Sequence, residues 1–285
     1  MEFLFGLLGL LYLISPLFIW GLVHWHWRKV GKDPQTKSTT IIPQYEPFQH
    51  LPPAIIGVVY DTRANDADIT ATLLHFVARK LITIENNSQI EERWHGKVHI
   101  YHTVDYQVTK ITAQQKNNPP LLPYEQLIFD QIFAAGNTIN LRTALQQLKQ
   151  TIRPIRQQLY TDAVTAGLFT QAADTWRRRY YITSRWLIGI GFVTGIFGVG
   201  VPVLLYGIIL RSYSRWMAQR TPLGMEAVQW CEGFKLYLHH AERFRAQQMT
   251  IEAAEHILPY ISVLHLQIPA WQLELPASLS VLTKP

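Results

Sequence analysis

The chain has 285 residues, a formal net charge of +6 and a single cysteine, Cys231. That length holds one or two small domains beside membrane segments, and one cysteine excludes both an intrachain disulfide and a thiolate metal cluster. The charge is uneven. Residues 31–140 carry 9 Lys/Arg against 11 Asp/Glu, a net of −2; residues 141–220 carry 11 against 2, a net of +9; residues 221–285 carry 4 against 6, again −2. The basic excess thus surrounds the longest apolar stretch, as expected beside anionic headgroups, and argues against a folded nucleic-acid-binding domain.

In chain order, residues 3–23 are apolar apart from Ser15 and Pro16. As a helix they reach about 31 Å, enough to cross a bilayer. No positive n-region or small-x-small cleavage site marks them as a cleaved signal peptide. His24, Trp25, His26, Trp27, Arg28 and Lys29 follow. Tryptophans favour the headgroup level and cations the cytoplasmic side, so the N-terminus is placed outside and residues 24–185 inside. Prolines dominate 24–53, a linker. In 54–108, Asn65, Asp66 and Asp68 offer caps for a helix carrying Ile69, Leu73, Phe76 and Val77, and the runs 81–85 and 98–108 read as strands. Helix followed by hairpin is a winged-helix-like outline, and any other small α+β unit is equally compatible.

A helix is expected over 124–135. A longer one follows, in which Leu141, Leu145, Leu148, Ile152, Ile155 and Leu159 step by 4, 3, 4, 3 and 4, with Pro154 as an expected kink. Residues 186–210 carry no charge. Arg177, Arg178, Arg179 and Arg185 precede them, and Arg211, Arg215 and Arg220 follow. Within the stretch, Gly191 and Gly195 have the small-xxx-small spacing of close helix packing in lipid. One helix of this length would reach about 37 Å. Cations at both ends instead ask for both ends on the cytoplasmic side, hence a short or re-entrant hairpin turning near 198–202. One crossing and a hairpin both remain open. Residues 222–247 read as an amphipathic helix, with Trp230, Phe234 and Leu238 on an apolar face proposed for a protein partner.

Several short motifs resemble the YciQ-like predicted membrane proteins, a bacterial family of unknown function. These are Gly31-Lys-Asp-Pro34, Ile42-Pro-Gln-Tyr-Glu-Pro47, Leu51-Pro-Pro-Ala54, Asp68-Ile-Thr-Ala-Thr-Leu-Leu74, Arg220-Thr-Pro-Leu-Gly224, Gly233-Phe234, Leu238, Ala241-Glu242 and Leu258-Pro-Tyr260. The resemblance spans about residues 20–271. It implies a cytoplasmic domain, a membrane helix pair and a cytoplasmic tail, and so favours two cytoplasmic ends around 186–210. The chain departs from the pattern in lacking the family's outer β-rich domain before the first span, in a central segment short for two crossings, and in His265, where a glycine is usual.

The fold class is therefore an α+β membrane protein. It combines an N-terminal transmembrane helix (1–23), a Pro-rich linker (24–53), a small winged-helix-like cytoplasmic unit (54–108), a helical region (109–180), a central glycine-rich membrane segment (186–210) and a C-terminal region with an amphipathic helix (221–285). His95, His99 and His102 cluster in sequence without the alternation that would put all three on one strand face. No phosphate loop, dinucleotide fingerprint or nucleophile elbow is present, so no catalytic, cofactor or metal residue is assigned. The expected partners are a bilayer with anionic headgroups and a protein, not nucleic acid. The reading is a membrane-anchored interaction or structural protein of the cell membrane. A tethered DNA-binding regulator and an enzyme with an uncatalogued site are the alternatives.

Overall fold

The structure, a computed structural model, describes residues 2–35, 40–44, 46–86, 89–91, 101–103, 106–111, 119–196, 200–241 and 251–266. Among these the helices are α1 (Glu2–Val30), α2 (Pro53–Asp61), α3 (Asp66–Ala78), α4 (Pro123–Ile132), α5 (Leu141–Thr165), α6 (Ala173–Gly195), α7 (Val201–Ser214), α8 (Pro222–Ala241) and α9 (Ile251–Val263). The strands are β1 (Ile82–Asn86), β2 (Gln89–Glu91), β3 (Tyr101–Thr103), β4 (Tyr106–Lys110) and β5 (Thr138–Asn140). The chain forms two compact units. Unit 1 is Met1–Thr39 with Val164–Glu226, and unit 2 is Thr40–Ala163 with Ala227–Pro285.

In unit 1, α1 contains a 22-residue segment, Gly9–Val30, long and apolar enough to cross a membrane. The helix runs past 23, the boundary expected from hydropathy, because nothing in 24–30 breaks it before Gly31. Pro16 lies inside α1. Proline has no N–H, so the Tyr12 carbonyl one turn earlier loses its usual donor. The Ser15 hydroxyl donates to that carbonyl at 2.5 Å. Ser15 Oγ also meets the Tyr206 hydroxyl of α7. Since the Ser15 proton is already committed, Tyr206 is the donor there.

The stretch 186–210 is two helices, the end of α6 and most of α7, packed antiparallel. Gly191 lies against the backbone of Leu204, and Gly207 against the Ile188 nitrogen and the Ser184 carbonyl. A Cβ on Gly191 would stand 2.7 Å from Leu204 Cα, closer than real side chains come. α6 starts at Ala173, well before the apolar residues, so the expected boundary at 180 falls inside a helix that is polar and basic first and apolar afterwards. The apolar parts of α6 and α7 each extend about 15 Å from the arginine-bearing end, half the hydrocarbon thickness.

In unit 2, residues 53–61, whose class the sequence did not announce, form α2. Pro52 and Pro53 start it, because proline suits a first helical turn. Its Ile55, Ile56, Val58 and Val59 are fully buried. α3 opens on a capping box: the Asn65 side chain accepts from the Ala67 and Asp68 nitrogens at 2.9 and 3.3 Å, and Asp68 Oδ2 accepts from the Asn65 nitrogen at 2.7 Å. α2 and α3 pack on α9. β1, β4 and β5 form an antiparallel sheet in that order, aligning Ile84, Val108 and Ile139 across the three strands. Phe76 of α3 meets Phe129 of α4 edge to face, 5.7 Å between ring centres. α5 is one helix through Pro154, which is exposed.

Two residues past the end of α9, His265 has a left-handed φ of +51°. That conformation costs an ordinary L-residue roughly 1–2 kcal/mol and a glycine almost nothing. This is the physical reason a glycine is at home after Leu258-Pro-Tyr260. His265→Gly is expected to stabilise unit 2 by about 1 kcal/mol, raising the thermal midpoint by about 3 °C, measured at pH 8 in detergent. A lowered midpoint would contradict it.

Candidate membrane-interface site

One end of the α1–α6–α7 bundle is crowded with aromatic rings. His24 Nδ1 and the Tyr213 hydroxyl are 3.0 Å apart, and His26 Nδ1 and the Tyr180 hydroxyl 2.7 Å. These contacts tie α1 to α7 and to α6. Trp176 packs edge-on to His26 at 4.8 Å, and Trp216 edge-on to Tyr213 at 5.8 Å. Val23, Tyr213 and Met217 form the buried centre. Cations ring the same level: Lys29 stands 4.0 Å over Trp25, Arg179 5.0 Å over Trp176, and Arg211 4.3 Å over Tyr181. Amphipathic aromatics with snorkelling cations are the composition of a headgroup interface.

Just below it, two motif segments far apart in sequence meet. Arg220 donates to Asp33 Oδ2 at 2.6 Å through its guanidinium and to Oδ1 at 2.8 Å through its backbone nitrogen. Gln219 donates to the Lys32 carbonyl at 2.9 Å, and Thr221 to the Leu168 carbonyl at 3.0 Å. The Gly31-Lys-Asp-Pro34 and Arg220-Thr-Pro-Leu-Gly224 motifs are thus two halves of one clasp.

The residues singled out from sequence fall as follows. Arg178, Arg179, Arg185, Arg211 and Arg215 are exposed, Arg177 is half-buried, and Arg220 is drawn into the clasp with 14 % of its side chain exposed. Gly191 is a packing position within the hairpin, whereas among the described residues no heavy atom lies within 4 Å of where a Cβ on Gly195 would be. The face of α8 proposed for a partner is covered by its own chain. Trp230 and Phe234 are buried with Tyr260, Ile261 and Leu264, and Leu238 is half-buried against the same cluster. The Trp230 indole donates to the Glu46 carbonyl at 2.8 Å, and the Tyr260 hydroxyl to the Leu51 carbonyl at 2.9 Å. An amphipathic period reports burial and does not say which chain provides the cover. Gly191→Val is expected to destabilise the protein by about 2 kcal/mol in denaturant titration of the detergent-solubilised chain, and Gly195→Val by less than about 0.5 kcal/mol. Equal costs at the two positions would contradict the packing described.

Unit 2 holds a second polar group, buried and unannounced by any motif. Glu125 Oε2 accepts from the Leu122 nitrogen at 2.9 Å, with the Arg79 guanidinium 3.5 Å away and His75 Nε2 3.9 Å from Oε1. Asp162 reaches from α5 to the start of α4, accepting from the Tyr124 nitrogen at 2.9 Å. For Glu125 the only sequence signal was positional, a carboxylate in a first helical turn, where the helix dipole favours it, whereas Asp68 was already read as a capping residue and stands in the Asp68–Leu74 motif. Burial raises the pKa of Asp68, well above the ordinary carboxylate range, and that of Glu125. His75 is pushed down to about 4, first by burial and then by the charges of Arg79 and His256. Among the described residues no three potential ligands are placed to hold a metal ion. His95 and His99 lie outside the described residues, and of His102 only the backbone is described.

The His75 shift fixes a sign. Unfolded, its imidazole takes a proton below about pH 6.5; folded, it stays neutral to about pH 4. Stability therefore falls as pH drops through that window, while the raised Asp68 and Glu125 act in the opposite sense. His75→Gln is expected to flatten the acid-side loss between pH 6.5 and 4, by about 3 kcal/mol at full effect, in thermal melts of wild type and variant at matched pH. Parallel curves would contradict it.

No curated protein and no solved structure matches the chain. A family model described as the C-terminal domain of a predicted membrane protein, DUF2207, matches residues 42–266. That match takes in all of α2 to α9 and the clasp residue Arg220. The chain belongs to the DUF2207 family of predicted membrane proteins.

Proposed function

We propose that this protein is a membrane-anchored interaction protein, held in the bilayer by α1 and by the α6–α7 hairpin and presenting unit 2 on the cytoplasmic side. What carries this reading is the convergence of ring and cation at one end of unit 1. α1 and α7 run the same way, since Ser15 meets Tyr206 and His24 meets Tyr213, and α6 runs the opposite way. Arg28, Lys29, Arg185 and Arg211 then belong to one end, as the preference of cations for the cytoplasmic side asks. A hairpin of about 15 Å depth does not cross, so it enters and returns. Residues 24–185 and the C-terminus are cytoplasmic in this reading, and the N-terminus is outside.

The DNA-binding alternative would use the helix-then-hairpin order of α3, β1 and β4 as a winged-helix-like module. The net charge of −2 over residues 31–140 opposes it, because phosphate contacts need surplus cations.

Paired reporter fusions after Pro285, one active only in the cytoplasm and one only outside it, test the topology. The cytoplasmic reporter is expected to be active and the external one silent. Activity of the external reporter would make 186–210 a single crossing and overturn the reading.

A further inference from the structure

The most specific feature of the interface lies at the base of the hairpin. Tyr181 and Arg185 are one turn apart on α6, and Arg211 comes from α7. The Arg211 guanidinium stands 4.3 Å from the Tyr181 ring centre and that of Arg185 5.9 Å. The two cations, 26 positions apart in sequence, are therefore at most about 10 Å apart. Two like charges are normally separated or given a carboxylate between them. Among the described residues neither arginine has a carboxylate within 4.0 Å; the ion pairs there involve Arg79, Arg156, Arg220 and His75. The contact of Gly207 with Ile188 and Ser184 fixes α7 against α6 and so keeps Arg211 beside Arg185.

We propose that Arg185 and Arg211, with Tyr181 as their common platform, bind the phosphodiester of one anionic phospholipid. The proposal rests on the reading of unit 1 as a membrane anchor and gives that anchor a ligand. The guanidinium fork matches a phosphate geometrically, and two forks from different helices match one phosphate from two sides. The depth is right, because both arginines border the uncharged stretch: Trp186, the next residue after Arg185, is 71 % exposed, and Ile208, one turn before Arg211, is 45 % exposed. These apolar neighbours would lie against the acyl chains while the arginines hold the headgroup. Arg177, Arg178 and Arg179 lie lower on α6 and attract the leaflet without this convergence on one ring. Arg220 is already paired with Asp33.

The test is native mass spectrometry of the full chain in detergent, titrated with phosphatidylglycerol, phosphatidylcholine or glycerol phosphate. Phosphatidylglycerol is expected to bind with defined stoichiometry and phosphatidylcholine about tenfold more weakly. Arg185→Gln with Arg211→Gln is expected to weaken phosphatidylglycerol about 30-fold, through the loss of two charge-assisted guanidinium–phosphate contacts. Arg178→Gln with Arg179→Gln, which removes the same charge, should weaken it less than threefold. If the glutamine pair does not fold, Arg185→Lys with Arg211→Lys keeps the charge and removes the fork, and should still weaken binding several-fold. Glycerol phosphate competing as well as the lipid would make the ligand a free phosphate and overturn the lipid assignment. Equal losses in the two glutamine pairs, or full affinity in the lysine pair, would overturn the site. Either result leaves the anchor reading standing, provided that all variants stay in the membrane fraction; release of the wild-type chain from membranes would be the failure of that reading instead.

Discussion

The contact of Gly191 and Gly207 with the opposite helix is the constraint on which unit 1 depends. With no side chain at either position, α6 and α7 approach closely enough for their apolar faces to pack as a pair. The pairing places Arg211 next to Tyr181 and carries Tyr206 and Tyr213 onto α1. Pull the hairpin open and three things go together: the polar link within the apolar part of the bundle, the aromatic end of the bundle, and the two-arginine seat.

The Tyr206–Ser15–Tyr12 chain gives that polar link its physical sense. A proline within a helix leaves a carbonyl without its amide, and lipid supplies no replacement. Ser15 covers that carbonyl, and Tyr206 then places its own hydroxyl on Ser15. Pro16 thereby becomes the reason for a hydroxyl pair that fixes the depth of α7 beside α1. The Asp33–Arg220 pair performs a similar fixing function below the aromatic level, where the side chains are only partly exposed and a doubly bonded carboxylate contributes more than a surface ion pair.

What was legible in the sequence was local. The apolar run of α1, the capping residues Asn65 and Asp68, the strand-like run 81–85, observed as β1 (Ile82–Asn86), and the cations flanking 186–210 each state their own case within a few residues. What was not legible depended on pairing across the chain. Trp230 and Phe234 have an interface-like period, yet the cover comes from α9 and from the 46–51 segment. The run 53–61 is too short and too uniformly apolar for its period to separate helix from strand. Whether 186–210 is one helix or two depended on which backbone Gly191 and Gly207 meet, and spacing alone does not carry that. The Tyr181 platform was invisible for the same reason: Arg185 and Arg211 read as two independent flanks until the hairpin brings them to one ring.

The central claim is that α6 and α7 return to the end from which they began, which puts His24 and Tyr213 side by side. The direct test replaces both by cysteine in a Cys231→Ala background and treats intact membranes with a short bismaleimide. The account requires efficient intramolecular cross-linking of the 24/213 pair, shown as a mobility shift after proteolysis between them. Failure of this pair to cross-link, with both cysteines labelled from opposite sides of the membrane, would contradict it and make 186–210 a single crossing.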